Sequence, residues 1–255
     1  MILTDTHTHL YSEAFDDDRQ DMIHRAIEQN VSRFFIPAID STHTASMLRL
    51  EANFPKNIFL MMGLHPSHVK GNYKDELDHV EQMLAKRKFY AIGEIGIDLY
   101  WDKSTLSIQT EAFEHQIKLA KQYQLPIVIH CREAFDEIFE VLEAEKSDDL
   151  HGILHCFTGN LEQAKKAISY NMKLGIGGVV TFKNGGIDQF LNQIDLKNIV
   201  LETDSPYLAP KPYRGKRNES AYIIKVVEKL SVIYGLSIEK IAEITTQNSK
   251  EVFNI

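Results

Sequence analysis

Pro126-Ile127-Val128-Ile129-His130-Cys131 reads as a short buried strand that stops at a histidine, and Gly152-Ile153-Leu154-His155-Cys156 repeats the arrangement. Working outward, an apolar run meets a potential metal ligand at three more places. Met1-Ile2-Leu3 leads into Asp5-Thr6-His7-Thr8-His9, Ala91-Ile92-Gly93 into Glu94, and Ile199-Val200-Leu201-Glu202-Thr203 into Asp204. Six potential ligands therefore close five apolar runs spread over the whole chain. In a closed barrel of parallel strands those ends converge on one mouth, the face where such barrels place their chemistry. Four imidazoles and two carboxylates exceed the needs of one tetrahedral zinc, so two cations sharing a ligand are expected.

The runs alternate with amphipathic segments. Strands are expected at 2–7, 32–37, 58–63, 90–94, 126–130, 152–156, 172–176 and 199–203, with helices at 18–30, 42–53, 76–88, 104–124, 133–145 and 160–170. Phe113, Ile117 and Ala120 recur at helical spacing, and Gln124-Leu125-Pro126 ends that helix. Asn160-Leu161-Glu162-Gln163 has the form of a capping box. Gly175-Ile176-Gly177-Gly178 and Gly185-Gly186 interrupt the seventh unit, and residues 218–253 read as two closing helices, the second from about Ser237. Repeated strand–helix alternation means a parallel sheet, and about eight repeats favour closure. The expected fold is α/β, a single-domain (β/α)8 TIM-like barrel over residues 1–255 with a metal site at the strand C-termini.

With 255 residues, 44% of them apolar, the chain can bury a full core. The formal net charge of -8, from 36 acidic and 28 basic side chains, argues against a broadly basic nucleic-acid coat. It leaves room for a local site where metals supply the positive charge. No signal-like or bilayer-spanning stretch stands out, so a soluble, cytoplasmic protein without membrane contact or an obligate protein partner is expected. Cys131 and Cys156 each follow a ligand histidine, and strand alternation turns them towards the outer helices as small buried thiols.

Individual residues carry different weight. His7 and His9, two apart, share a strand face and can reach one cation. Glu94 lies between Gly93 and Ile95-Gly96; by itself it fits a loop glutamate equally well, but small neighbours would let its two oxygens approach the axis and bridge two cations. Asp98 reads as a turn cap or a functional carboxylate. Glu202 and Asp204 share a face of the last strand, where Glu202 is placed to hold a ligand imidazole or shuttle protons. Gly63-Leu64-His65-Pro66 puts His65 on the same mouth, touching substrate or a ligand. Lys211, Arg214, Lys216 and Arg217 fall within seven positions directly beyond Asp204 and suggest a phosphate-binding loop. His24, His43, His68, His79, His115 and His151 have no strand-end placement and read as surface residues.

Taken together, Asp-Thr-His-Thr-His-Leu (5–10), Gly-Leu-His-Pro (63–66), Gly-Glu-Ile-Gly-Ile-Asp (93–98), Pro-Ile-Val-Ile-His-Cys-Arg-Glu-Ala (126–134), His-Cys-Phe-Thr-Gly (155–159), Glu-Thr-Asp-Ser-Pro-Tyr-Leu-Ala-Pro (202–210) and Arg-Gly-Lys-Arg-Asn-Glu (214–219) resemble the TatD family of metal-dependent deoxyribonucleases. The resemblance implies an amidohydrolase-type barrel that cleaves phosphodiesters with divalent metals. By position it implies one metal on His7, His9, Glu94 and Asp204 and another on Glu94, His130 and His155. Ser220 departs from the proline common after Asn-Glu in that family. The expected function is hydrolysis of DNA, single-stranded or short, by a metal-activated water, with Glu94, Asp204 and Glu202 catalytic and His65 and Arg214 on the substrate. Two divalent ions among Mg, Mn, Zn and Ni would serve as cofactors. A deacylase or amidohydrolase acting on a small ester or amide is the alternative enzyme, and a metal- or nucleic-acid-binding protein the non-enzymatic one.

Overall fold

A computed structural model describes all 255 residues. Eight parallel strands form the barrel wall: β1 (Leu3–Asp5), β2 (Val31–Ile36), β3 (Ile58–Leu60), β4 (Ile92–Asp98), β5 (Ile127–Arg132), β6 (Gly152–Leu154), β7 (Met172–Ile176) and β8 (Ile199–Leu201). Ladder pairing runs β1-β2-β3 and β4-β5-β6-β7-β8. Two seams close the ring. Met62 bridges Ile92 between β3 and β4, and the Thr6 amide donates to the Leu201 carbonyl at 2.9 Å between β1 and β8.

Helices α1 (Arg19–Glu28), α2 (Thr44–Asn53), α3 (Tyr73–Lys86), α4 (Leu106–Tyr123), α5 (Phe135–Ala144) and α6 (Leu161–Ser169) follow the first six strands. Phe113, Ile117 and Ala120 of α4 are buried as their spacing requires, and Gln124 ends that helix in the left-handed conformation at φ 53°. The Asn160–Gln163 capping box is formed in both directions. The seventh unit departs from the pattern. Between β7 and β8 the glycine-rich chain makes only short 3-10 turns and forms no α-helix of its own. Helices α7 (Ile223–Tyr234) and α8 (Ile238–Phe253) then close the structure, with the Ser237 side chain capping α8. No helix is long and apolar enough to cross a membrane.

Alternation along the strands divides the core. Ile127 and Ile129 face the helices in a shell of 62 buried apolar residues. Val128, Ile153, Val200 and Phe35 face inward, in a cluster of 8 completed by Met61, Ala91, Val252 and Phe253. Phe253 stacks on Phe35 with ring centroids 3.6 Å apart, so the end of α8 plugs the barrel floor. Two residues beyond Val128, Ile153 and Val200 stand His130, His155 and Glu202. Each inward column thus has an apolar base and a polar top. Cys131 packs on the outer shell, and both thiols are half-buried rather than fully enclosed.

Candidate metal centre

Not every ligand sits where a strand stops. Glu94 is the third residue of β4 and His130 the fourth of β5, because this pair continues as a two-stranded ribbon to Asp98 and Arg132. His7, His155 and Asp204 lie just beyond β1, β6 and β8. Glu94 is an inserted residue. The β4–β5 register passes from Gly93↔Val128 to Ile95↔Ile129, leaving Glu94 without a partner on β5. A bulge of this kind re-aims a side chain, and the Glu94 amide donates instead to the Ala38 carbonyl at 3.1 Å. The neighbouring glycines serve a different purpose from the one expected. Rather than clearing a path to the axis, Gly93 packs against Val128, and Gly96, at φ 134°, presses on the His130 carbonyl with no room for a Cβ.

The Glu94 carboxylate, 2% exposed, sits between two groups of imidazoles. Its Oε1 lies 2.7 Å from His130 Nδ1, 2.8 Å from His155 Nε2 and 3.1 Å from His65 Nε2. Its Oε2 lies 3.1 Å from His7 Nε2 and 3.7 Å from His9 Nε2. Asp204 Oδ1 adds to the second group, 3.5 Å from His9 Nε2 and 3.8 Å from His7 Nε2. Three triads have ligand atoms within 4.8 Å of one another: His7/His9/Glu94, His7/His155/Asp204 and His65/Glu94/His130. All six expected ligands converge, and His65 joins them at 3.1 Å from Glu94 Oε1.

The donor set suits a divalent cation. Both ring nitrogens of His7 and Nδ1 of His155 are buried without a hydrogen bond, a cost of about 1–3 kcal/mol for each unsatisfied group. His7 Nε2 approaches a carboxylate oxygen yet makes no hydrogen bond to it, so the two atoms share a space rather than a proton. Nitrogen and oxygen ligands of this type fit Zn, Mn or Ni. The local charges agree. Burial raises the Glu94 carboxyl, but His65, His155 and His7 outweigh it and hold the group well below the usual carboxylate range. Asp204 is likewise held down, by His9, His155 and His7 against burial. Burial lowers the His7 imidazole and brings His65 down to about 4 despite Glu94. Against burial, His130 is instead raised by Asp98 and Glu94, and His155 is raised well above the usual imidazole range by Glu94 and Glu202, so a cation must displace protons from these two rings to be ligated by neutral imidazole. Burial raises Cys131 to about 12, which keeps that thiol protonated.

Three acidic side chains brace the ring. Asp98, left open as cap or functional group, does both. Its Oδ1 accepts from the Tyr100 and Trp101 amides at 3.0 and 3.4 Å, while Oδ2 lies 2.9 Å from His130 Nε2. Glu202 and Asp204 both follow the end of β8 at Leu201 and both reach the neighbourhood of His155, with Asp204 at φ 54°. Glu202 turns to β6. Its Oε1 accepts from the Cys156 amide at 2.6 Å and lies 3.7 Å from His155 Nδ1. Asp5 was missed, although it opens the first histidine motif. It is fully buried, accepts from Thr203 and Ser220 hydroxyls at 2.6 and 2.7 Å, and so joins β1 to the segment after β8. Burial pushes its carboxyl up to about 7. Ser220, the departure from the family pattern, is thereby used. Glu202 has room only because residue 175 is glycine, since a Cβ there would overlap the carboxylate. Gly175→Ala should lower stability by about 1–3 kcal/mol, read from urea unfolding; an unchanged midpoint would show that Glu202 can move aside freely.

The basic loop divides into two parts. Arg217 is engaged by Asp18, with contacts of 2.7 and 2.8 Å, and by the Ala14 carbonyl, so it fastens the loop near α1. Arg25 holds Glu219 in the same way at 2.8 Å. Lys211 and Arg214 remain exposed and line a cavity of about 490 Å³ with Lys183, Thr158, Phe182 and Asn184. The Arg214 guanidinium stacks 3.7 Å from the Phe182 ring centroid. Of the histidines read as surface residues, only His24 is highly exposed; His43, His68, His79, His115 and His151 are partly covered. His43 and His68 lie 2.7 and 3.6 Å from Asp40.

A family model described as TatD related DNase matches residues 4–254. The chain belongs to the TatD family. It is 39% identical to the uncharacterized metal-dependent hydrolase YabD of Bacillus subtilis, with 100% of both chains covered. It is 32% identical to the uncharacterized metal-dependent hydrolase YcfH of Escherichia coli, covering 100% of this chain and 97% of that one. The crystal structure of YjjV, a TatD homolog of Escherichia coli, superposes with a TM-score of 0.93 at 28% identity, over 99% of this chain and 98% of that one. The TatD resemblance in the histidine motifs therefore extends across the whole barrel, and the protein is a metal-dependent hydrolase of this family.

Proposed function

We propose that the protein hydrolyses phosphodiester bonds of DNA, single-stranded in preference to duplex, with two divalent cations held across Glu94. The division of five imidazoles between the two oxygens of one buried carboxylate carries this reading. His7, His9 and Asp204 would hold one cation with Glu94 Oε2; His130 and His155, with His65 in reach, would hold the other with Oε1. Bound there, divalent cations supply Lewis acidity to a phosphoryl oxygen and activate water. Asp204, ionised and 14% exposed, is the carboxylate placed at the mouth to orient an attacking water and accept its proton. Glu202 is wholly buried, so its part is to orient His155. Lys183, Lys211 and Arg214 supply positive charge for the substrate backbone, and the deoxyribonuclease description of the matching family supports DNA as that substrate.

The decisive assay takes metal-stripped protein, restores Mg, Mn or Zn, and compares single-stranded DNA, duplex DNA and a simple carboxyl ester. Arg214→Ala should raise KM for DNA and flatten its salt dependence by about one unit of log–log slope, with metal content intact. Ester cleavage should respond far less. Unchanged KM for DNA across a salt series, together with impaired ester cleavage, would replace this reading with a deacylase.

A further inference from the structure

Trp101 is the sole tryptophan of the chain, and it is 71% exposed beside Tyr100, which is 50% exposed. Leaving two large rings in water forgoes the burial that would stabilise the fold, and such a patch marks a binding surface. The rings meet edge to face, with centroids 4.9 Å apart. The Arg132 guanidinium lies 3.6 Å from the Tyr100 centroid and 5.5 Å from that of Trp101. Packing against the cation gives this exposed pair a defined arrangement.

The position of the patch indicates what it receives. β4 and β5 outrun the other strands, pair Asp98 with Arg132, and carry the Tyr100–Trp101 turn past the histidine ring. Asp98 ties the turn to the metal centre, accepting from both aromatic amides on one oxygen and meeting His130 on the other. Tyr207, 57% exposed, stands near His9 with ring centroids 6.1 Å apart. A ligand whose phosphate reaches the centre would thus have aromatic rings within its next few bonds and a guanidinium for its charge.

We propose that Trp101, Tyr100 and Arg132 form a stacking platform for an unpaired nucleobase next to the phosphodiester held at the metal centre. This rests on the phosphodiesterase reading above and adds to it the physical basis of strand preference. Every base has a π face that can stack on an aromatic ring, without sequence preference. In a duplex both faces are covered by neighbouring base pairs, so the platform receives only single strands and frayed ends.

The lone tryptophan makes the platform observable apart from catalysis. Wild-type, metal-loaded protein is titrated with a nuclease-resistant phosphorothioate hexathymidylate and with an abasic phosphorothioate of equal length and charge. Tryptophan fluorescence, excited where tyrosine does not absorb, should be quenched by the thymidylate and far less by the abasic strand. In steady state, Trp101→Ala should raise KM for single-stranded DNA on the order of 10-fold, with little change in kcat or in KM for an abasic strand. Trp101→Phe should restore most of the affinity, and an unaltered thermal midpoint would confirm that the exposed ring is not needed for folding. Equal quenching by both strands, or a Trp101→Ala KM equal to wild type, would overturn the platform. Those results with DNA cleavage intact would leave the nuclease reading standing. Base-dependent quenching without DNA cleavage under any metal would support the platform and remove the nuclease reading.

Discussion

Glu94→Gln should lower kcat for DNA by roughly a thousandfold and weaken both proposed cations, although it changes neither the size of the side chain nor the fold. The carboxylate meets His130, His155 and His65 on one oxygen and His7 and His9 on the other. The amide keeps one acceptor and replaces the second with a donor, which faces ring nitrogens instead of ligating beside them. The charge shared by both proposed cations is lost together with the Lewis acidity that depends on it, worth several kcal/mol. Steady-state kinetics and elemental analysis of the purified variant test this, with the circular dichroism spectrum as the check on folding. Wild-type kcat in the Gln variant would remove Glu94 from the mechanism.

The eight strands and the convergence of the six ligands were legible because apolar runs and terminal polar residues are local features. Val128 and His130 stand two apart on one strand and must share its inner face. The same rule puts Glu202 inside the barrel beside His155 but does not give the backbone at Asp204. Both lie past β8, and nothing in Glu202-Thr203-Asp204 announces the positive φ at Asp204. The Glu94 bulge was illegible for a related reason, since an unpaired residue exists only relative to the partner strand.

Long-range pairing explains the remaining differences. Lys211, Arg214, Lys216 and Arg217 look alike in sequence, but Arg217 meets Asp18 across 199 positions and is withdrawn from solvent chemistry. Asp98 seemed ambiguous because its two oxygens do different work, one within its own turn and the other on His130 of the next strand. The helix missing after β7 follows from Gly177, Gly178, Gly185 and Gly186, which weaken helix propensity where the chain turns beside Leu208. That irregular sector holds the cavity with Lys183, Lys211 and Arg214. The irregular unit and the basic surface are therefore one feature of the barrel mouth.

Metal titration of stripped protein should find two equivalents, and His9→Ala should retain one. The carboxylates beside His9 are Glu94 Oε2 and Asp204, whereas those beside His130 are Glu94 Oε1 and Asp98. The two substitutions should therefore empty different positions. Loss of an outer partner of a metal ligand weakens affinity about 10–100-fold, so loss of a ligand itself should exceed roughly 100-fold at its own position. The opposite position should change less, through the shared carboxylate alone. His130→Ala provides the reciprocal case, and a protein carrying both substitutions should bind neither ion tightly. Calorimetry with Mn or Zn gives the stoichiometry directly, and its second binding step identifies which position each variant has lost. One equivalent in fully active wild type would show that a single cation suffices. Glu94 would then serve one metal only, and the histidines on its other oxygen would act as hydrogen-bonding neighbours rather than ligands.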